Sequence, residues 1–138
     1  MIREDGSMVT LVLGGARSGK SRHAVRLARA LGPKVLYVAT YRPTPADPEM
    51  RRRVARHRRE RPARWTTLEA PGNLPAVLPT RARGRDAVLL DCLTLQIAAL
   101  AARHRSDAAV ARAVRRLLHA LARLPCPVIV VSNDVGAG

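Results

Sequence analysis

The chain alternates short apolar runs with longer amphipathic segments, and the two periodicities assign its elements. Residues 1–7 are polar and read as a loose leader, whereas Met8 to Leu13 is a nearly continuous apolar run, the pattern of a buried strand. Beyond residue 21, Ala24, Leu27, Ala28 and Leu31 recur at i, i+3, i+4 and i+7, with Arg22, Arg26 and Arg29 off that stripe. This is an amphipathic helix, stopped by Gly32-Pro33. Val35–Ala39 is a second apolar run, so strand, helix and strand follow in the order of a parallel βαβ unit.

Thr40 to Ala46 contains two prolines and reads as a loop. Asp47, Pro48 and Glu49 suit the N-cap, N1 and N2 positions of a helix that runs to about Glu60, ahead of Pro62. Trp65–Glu69 is a short strand, and Asn73–Arg83 a short helix interrupted by prolines. Ala87–Asp91 is an apolar strand ending in a carboxylate, and Leu93–His104 a helix. Ser106 caps another, in which Val110, Val114, Leu117, Leu118, Leu121 and Leu124 form one apolar stripe. Pro127–Val131 is a last buried strand, leading into Ser132–Gly138. With no internal repeat and no linker, residues 1–138 form one α/β domain with a mostly parallel sheet and helices on both faces. Its ligand crevice lies at the carboxyl ends of the strands, where residues 14–21, Thr40, Asp91 and Ser132 emerge.

The first of these loops carries the clearest chemistry. Gly14, Gly15, Ala16, Arg17, Ser18, Gly19, Lys20 and Ser21 match G-x-x-x-x-G-K-[ST] between a strand and a helix, the context that motif requires. Its glycines let the backbone curl so that N–H groups face phosphate oxygens, and the following helix adds its positive end. Lys20 supplies a point charge near the β/γ-phosphates, and the Ser21 hydroxyl can ligate Mg²⁺. Of 25 Lys and Arg residues only Lys20 and Lys34 are lysine, so a lysine where the motif demands one is not background. The pattern predicts a P-loop NTPase-like nucleotide-phosphate site. Asp91, at the end of an apolar strand beside that loop, is the natural anchor for the nucleotide's Mg²⁺.

Composition refines this less than it first suggests. The chain is long enough to bury about 68–70% of its unfolded surface. With one Trp, two Tyr and no Phe, its core is Leu, Val and Ala. The formal net charge of +15 would ordinarily point to nucleic acid, but the excess is almost all Arg in an Ala- and Pro-rich chain, so a general Arg bias competes as the cause. Cys92 and Cys126 have no metal spacing and read as buried, reduced thiols. No secretory apolar segment follows Met1, and the Leu93–Ala102 run is about half of a membrane span, so a cytoplasmic protein is expected.

The segment from Arg51 to Arg64 holds eight arginines and one histidine, with Met50, Val54 and His57 on one helical face and Arg53 and Arg61 at its margins. A neutral imidazole there could attack phosphorus, the guanidinium groups lowering its pKa and neutralising a polyphosphate. On the residues alone, a half-buried structural histidine is the stronger reading. His23, His104 and His119 receive no role.

Beyond the phosphate loop, the chain resembles the bifunctional adenosylcobinamide kinase/adenosylcobinamide-phosphate guanylyltransferases of cobalamin biosynthesis across residues 9–138. The resemblance runs through Gly14–Ala24, Val35–Thr40, the set Asp47, Glu49, Met50, Arg53, Val54, His57, Arg58, Arg61, Pro62 and Trp65, then Glu69, Leu89–Leu95 and Val131–Gly138. It implies two reactions on one scaffold. One phosphorylates the aminopropanol hydroxyl of adenosylcobinamide. The other moves GMP from GTP onto that phosphate through a GMP–histidine intermediate, with His57 at the nucleophile's position. By the same matching, Ala39, Thr40, Tyr41, Arg58, Arg59, Glu60, Arg61, Glu69 and Asp91 fall around GTP. The resemblance also implies GTP and ATP as substrates, Mg²⁺, and a homotrimer.

Two positions depart from the family pattern: Gln96 stands where an aromatic is expected, and Tyr41 where a small residue is commoner. Family members also run on for a further helix and strand, so the chain is expected to be truncated and to leave an open sheet edge. Two other functions remain compatible with the residues: a P-loop kinase of a small metabolite with a structural His57, and a nucleotide-dependent nucleic-acid binder. Against the second, no aromatic interleaves the Arg51–Arg64 helix to stack bases.

Overall fold

The computed structural model describes residues 8–15, 18–40, 48–69 and 72–133, with only the backbone of Met50, Arg53 and His57. Ten elements follow in the order β1 (Val9–Gly14), α1 (Lys20–Leu31), β2 (Val35–Ala39), α2 (Pro48–Glu60), β3 (Thr66–Glu69), α3 (Leu74–Arg81), β4 (Ala87–Asp91), α4 (Leu93–Arg103), α5 (Asp107–Ala122) and β5 (Val128–Asn133). The expected elements are present, with ends displaced by no more than two residues. Asp47, the expected N-cap of α2, lies outside the described residues.

All four strand pairings are parallel, and the sheet order is β1-β5-β4-β2-β3. β1 and β2 therefore bracket β5 and β4 instead of pairing with each other. β2 and β4 are covered on both faces, which explains their unbroken apolar runs. Strand alternation sorts their side chains into two layers. Leu36, Val38, Val88, Leu90, Val128 and Val130 face α3, α4 and α5, where Leu74, Leu78, Leu100, Leu117 and Leu121 fill the core. Val35, Tyr37, Ala87, Leu89, Ile129 and Val131 face the opposite way, against Ala24, Val25 and Ala28 of α1 and against Trp65.

Three expectations are corrected by this packing. β1 is an edge strand, not a buried one. Val12 is buried, but Leu11 and Leu13 are 54% and 59% exposed, because no described helix covers that face beyond Val9. On α1 Ala24 and Ala28 are buried and Leu27 packs against the same cluster as expected, but Val25 joins them and Leu31 is 37% exposed in the last turn. On α5 the buried positions are Ala113, Leu117 and Leu121, whereas Leu118 is 44% exposed, one residue round from the packed face. The Ser106 cap is formed, its hydroxyl accepting from the Ala109 N–H at 3.1 Å. Among the described residues no helix is long and apolar enough to cross a membrane.

This geometry separates two adjacent leucines. Leu117→Ala removes a fully buried side chain and is expected to lower unfolding stability by about 2–5 kcal/mol. Leu118→Ala is expected to stay within about 0.5 kcal/mol of the parent in the same urea titration.

Candidate active site

Because every strand runs the same way, the carboxyl ends of β1, β5, β4, β2 and β3 form one rim. The register pairs Gly14 with Asn133, Asp91 with Val131, and Ala39 with both Asp91 and Glu69. The loop after β1, Thr40, Asp91 and Ser132 emerge together there, as their positions at strand ends demand.

The described part of the phosphate-type loop closes on one carbonyl. Gly15 O accepts from the Ser18 N–H at 3.2 Å, from Ser18 Oγ at 2.9 Å and from Lys20 Nζ at 2.9 Å. Gly19 is the N-cap of α1 with φ +77°, a left-handed conformation that costs a residue with a Cβ about 1–2 kcal/mol. With no side chain capping it, the positive end of α1 is available to an anion, with the Lys20 ammonium held above the loop. At Gly14 the limit is space: a Cβ there would collide with Ser18 Oγ and force that hydroxyl off Gly15 O. Ser21 is half-buried in the first turn of α1. Ala16 and Arg17 lie outside the described residues.

Asp91 is 3% exposed, and Tyr37 Oη donates to its Oδ2 at 2.6 Å. Thr40 secures the following peptide. Its N–H donates to Asp91 O at 3.0 Å, and its hydroxyl accepts from the Cys92 N–H at 2.8 Å. The hydroxyl oxygen is also 3.0 Å from the carbonyl oxygens of both Asp91 and Cys92. The Thr40 hydroxyl is thus engaged with backbone. Across the rim, Thr94 Oγ1 lies 3.1 Å from Ser132 Oγ and accepts from the Asn133 N–H at 3.0 Å, tying the start of α4 to the end of β5.

Three residues at the end of α2 or just beyond it, Arg58, Glu60 and Arg61, hold it near this rim. Glu60 pairs with Arg22 of α1 at 3.2 Å, and Arg58 with Glu69 of β3 at 3.7 Å. Arg61 places its guanidinium 4.0 Å from the Tyr37 ring centroid and donates to Thr67 Oγ1 at 3.2 Å. The two ion pairs are largely exposed and contribute little stability, at most about 1 kcal/mol each. Burial lowers the Arg61 pKa and the Arg58 charge adds to that, while Tyr37 and Asp91 oppose it. Arg59 is exposed. The α2 backbone carries His57, whose side chain is not described, and Tyr41 lies outside the described residues.

Both cysteines are buried free thiols, as expected. Burial pushes the Cys92 pKa up and the Asp91 carboxylate adds to this, against the Leu95 and Thr94 N–H groups and the Lys20 charge. Burial and Asp86 raise Cys126 likewise. Neither thiol is an activated nucleophile. Gln96 is buried at 6% exposure in the first turn of α4.

Sequence reasoning missed two members of the rim. Tyr37 read as one more strand residue, although it is the single polar-tipped side chain in an otherwise aliphatic β2. Thr94 carried no signal beyond its place near the start of a helix. An open surface groove of about 790 Å³ between α3 and α5, lined by Pro75, Pro79, Arg112, Arg116 and His119 among others, stands apart from these residues.

The model of the cobinamide kinase / cobinamide phosphate guanyltransferase family matches residues 10–138. The bifunctional adenosylcobalamin biosynthesis protein CobP of Pseudomonas aeruginosa is 46% identical over 134 residues, covering 95% of this chain and 74% of the relative. The CobU proteins of Salmonella typhimurium and Escherichia coli, also named bifunctional adenosylcobalamin biosynthesis proteins, are 38% and 35% identical, each covering 95% of this chain and 77% of its own length.

The collision at Gly14 gives a direct check on the loop. Gly14→Ala is expected to destabilise the protein, and Ser18→Ala in the same chain to recover part of the loss. A double-mutant cycle should return a coupling of about 0.5–3 kcal/mol.

Proposed function

The chain belongs to the cobinamide kinase / cobinamide phosphate guanyltransferase family, and we propose that it carries out both reactions of that name, in the cytoplasm and as a homotrimer. The observation that carries this reading is the convergence of the Lys20 loop and the Asp91 carboxylate on one rim beside the helix that bears His57.

In the kinase reaction the loop from Gly14 to Ser21, including Ala16 and Arg17, cradles the phosphates of ATP or GTP. Lys20 offsets charge that develops on the transferring γ-phosphoryl group as the aminopropanol hydroxyl of adenosylcobinamide attacks it. A divalent cation fits this rim as the nucleotide's companion. The described residues contain no cluster of three His, Cys, Asp or Glu side chains able to hold a metal unaided. They do supply a buried carboxylate at Asp91 and a hydroxyl at Ser21, the donor set expected when phosphates complete the shell. Mg²⁺ bound there would neutralise phosphate charge.

In the guanylyltransferase reaction, an imidazole nitrogen of His57 attacks the α-phosphorus of GTP. A P–N bond forms, the bond to the β-phosphate oxygen breaks, and pyrophosphate leaves. The phosphate of adenosylcobinamide phosphate then displaces histidine, giving adenosylcobinamide-GDP. Ala39, Thr40, Tyr41, Arg58, Arg59, Glu60, Arg61 and Glu69 surround the nucleotide. Thr40 does so through backbone, since its hydroxyl serves the Asp91–Cys92 peptide. The arginines offset triphosphate charge.

Incubation with GTP labelled at the α-phosphate should leave an acid-labile, alkali-stable label on the protein. His57→Ala should carry none, and an active parent without label would refute the histidine intermediate. Lys20→Ala should lower kinase turnover by on the order of 10²–10³-fold, as expected for loss of one charge-stabilising donor, with an unchanged circular dichroism spectrum.

A further inference from the structure

Tyr37 is more than its place in the core requires. The rest of β2 is Val, Leu, Val and Ala, and an aliphatic side chain would fill the same layer. The register sets Tyr37 opposite Leu89 and Ala39 opposite Asp91, so Tyr37 and Asp91 are diagonal neighbours on one sheet face. That diagonal is within reach of a phenol. The resulting 2.6 Å hydrogen bond is short, as charge-assisted O–H···O⁻ bonds are.

The ring making this bond is itself fixed. Trp65 stacks on it with centroids 6.4 Å apart and planes 28° from parallel. The Arg61 guanidinium lies 4.0 Å from its centroid and is secured by Thr67. The phenol hydroxyl is therefore placed by the core and by the end of α2, not by whatever occupies the rim. A carboxylate at 3% exposure gains its orientation from such donors.

We propose that Tyr37 is the positioning residue that orients the Asp91 carboxylate toward the divalent cation on the bound nucleotide, with Arg61 holding the phenol ring in place. This rests on the nucleotide site proposed above. It adds a residue that touches neither nucleotide nor corrinoid, and acts only through Asp91. It also links α2, the helix of the guanylyl-transfer reaction, to the carboxylate of the kinase reaction through one aromatic ring.

The test is a Mn²⁺ titration read by electron paramagnetic resonance, with the full chain and a non-hydrolysable ATP analogue. Tyr37→Phe should weaken Mn²⁺ binding in the ternary complex about 10-fold or more, the scale on which partners of metal-ligating groups act. Its affinity for the analogue without metal should not change. Trp65→Phe keeps an aromatic ring against Tyr37 and leaves both the hydroxyl and its Arg61 support in place. It should lower the melting temperature but keep the parent's Mn²⁺ affinity. Unchanged Mn²⁺ binding in Tyr37→Phe, or an equal loss in Trp65→Phe, would overturn the proposal. The titration contains no corrinoid, so a wrong substrate assignment would not alter it.

Discussion

Parallel strands must all finish on the same side of a sheet, and the hydrogen-bond ladder fixes how far each one reaches. Here the ladder sets Gly14 level with Asn133, and Ala39 level with Asp91 and Glu69. Gly14, Ala39, Glu69 and Asp91 are each the last residue of a strand and Thr40 is the first beyond one, while Lys20 and Ser21 open the helix that follows β1. A slip of one residue in β4 would turn Asp91 to the other face of the sheet, away from Tyr37. The apolar runs of β2, β4 and β5 specify that register, because each side chain is buried in one of two different layers.

Burying a carboxylate at the end of a strand costs free energy unless donors compensate. Tyr37 is such a donor on the side chain, and Thr40 organises the backbone that follows it. Arg61 then carries the arrangement outward to α2. The surface ion pairs Arg22–Glu60 and Arg58–Glu69 set direction more than they stabilise. Burial of the Leu, Val and Ala core supplies the stability, and this polar chain supplies the order at the rim.

Much of this was legible in the sequence because local patterns decide it. Period-two and period-3.6 patterning gave the strands and helices, and the spacing from Gly14 to Ser21 gave the loop. The paired partners were not legible. Nothing local to Val35–Ala39 says that Tyr37 meets a side chain 54 residues away. The exposure of Leu11, Leu13 and Leu118 follows from where helices α3 to α5 end up over the sheet, which patterning along one segment does not contain. The strand order was equally hidden. A βαβ unit announces parallel strands, but not that β5 and β4 intervene between them.

Both reactions depend on the carboxyl rim of the sheet holding the nucleotide. Amide hydrogen exchange in the presence and absence of a non-hydrolysable ATP analogue and Mg²⁺ tests it across the whole chain. Protection is expected in residues 14–21, in the segments following β2 and β4 and at the ends of α2 and β3, with the groove between α3 and α5 unchanged. Protection of α3 and α5, with the 14–21 loop exchanging as before, would contradict it.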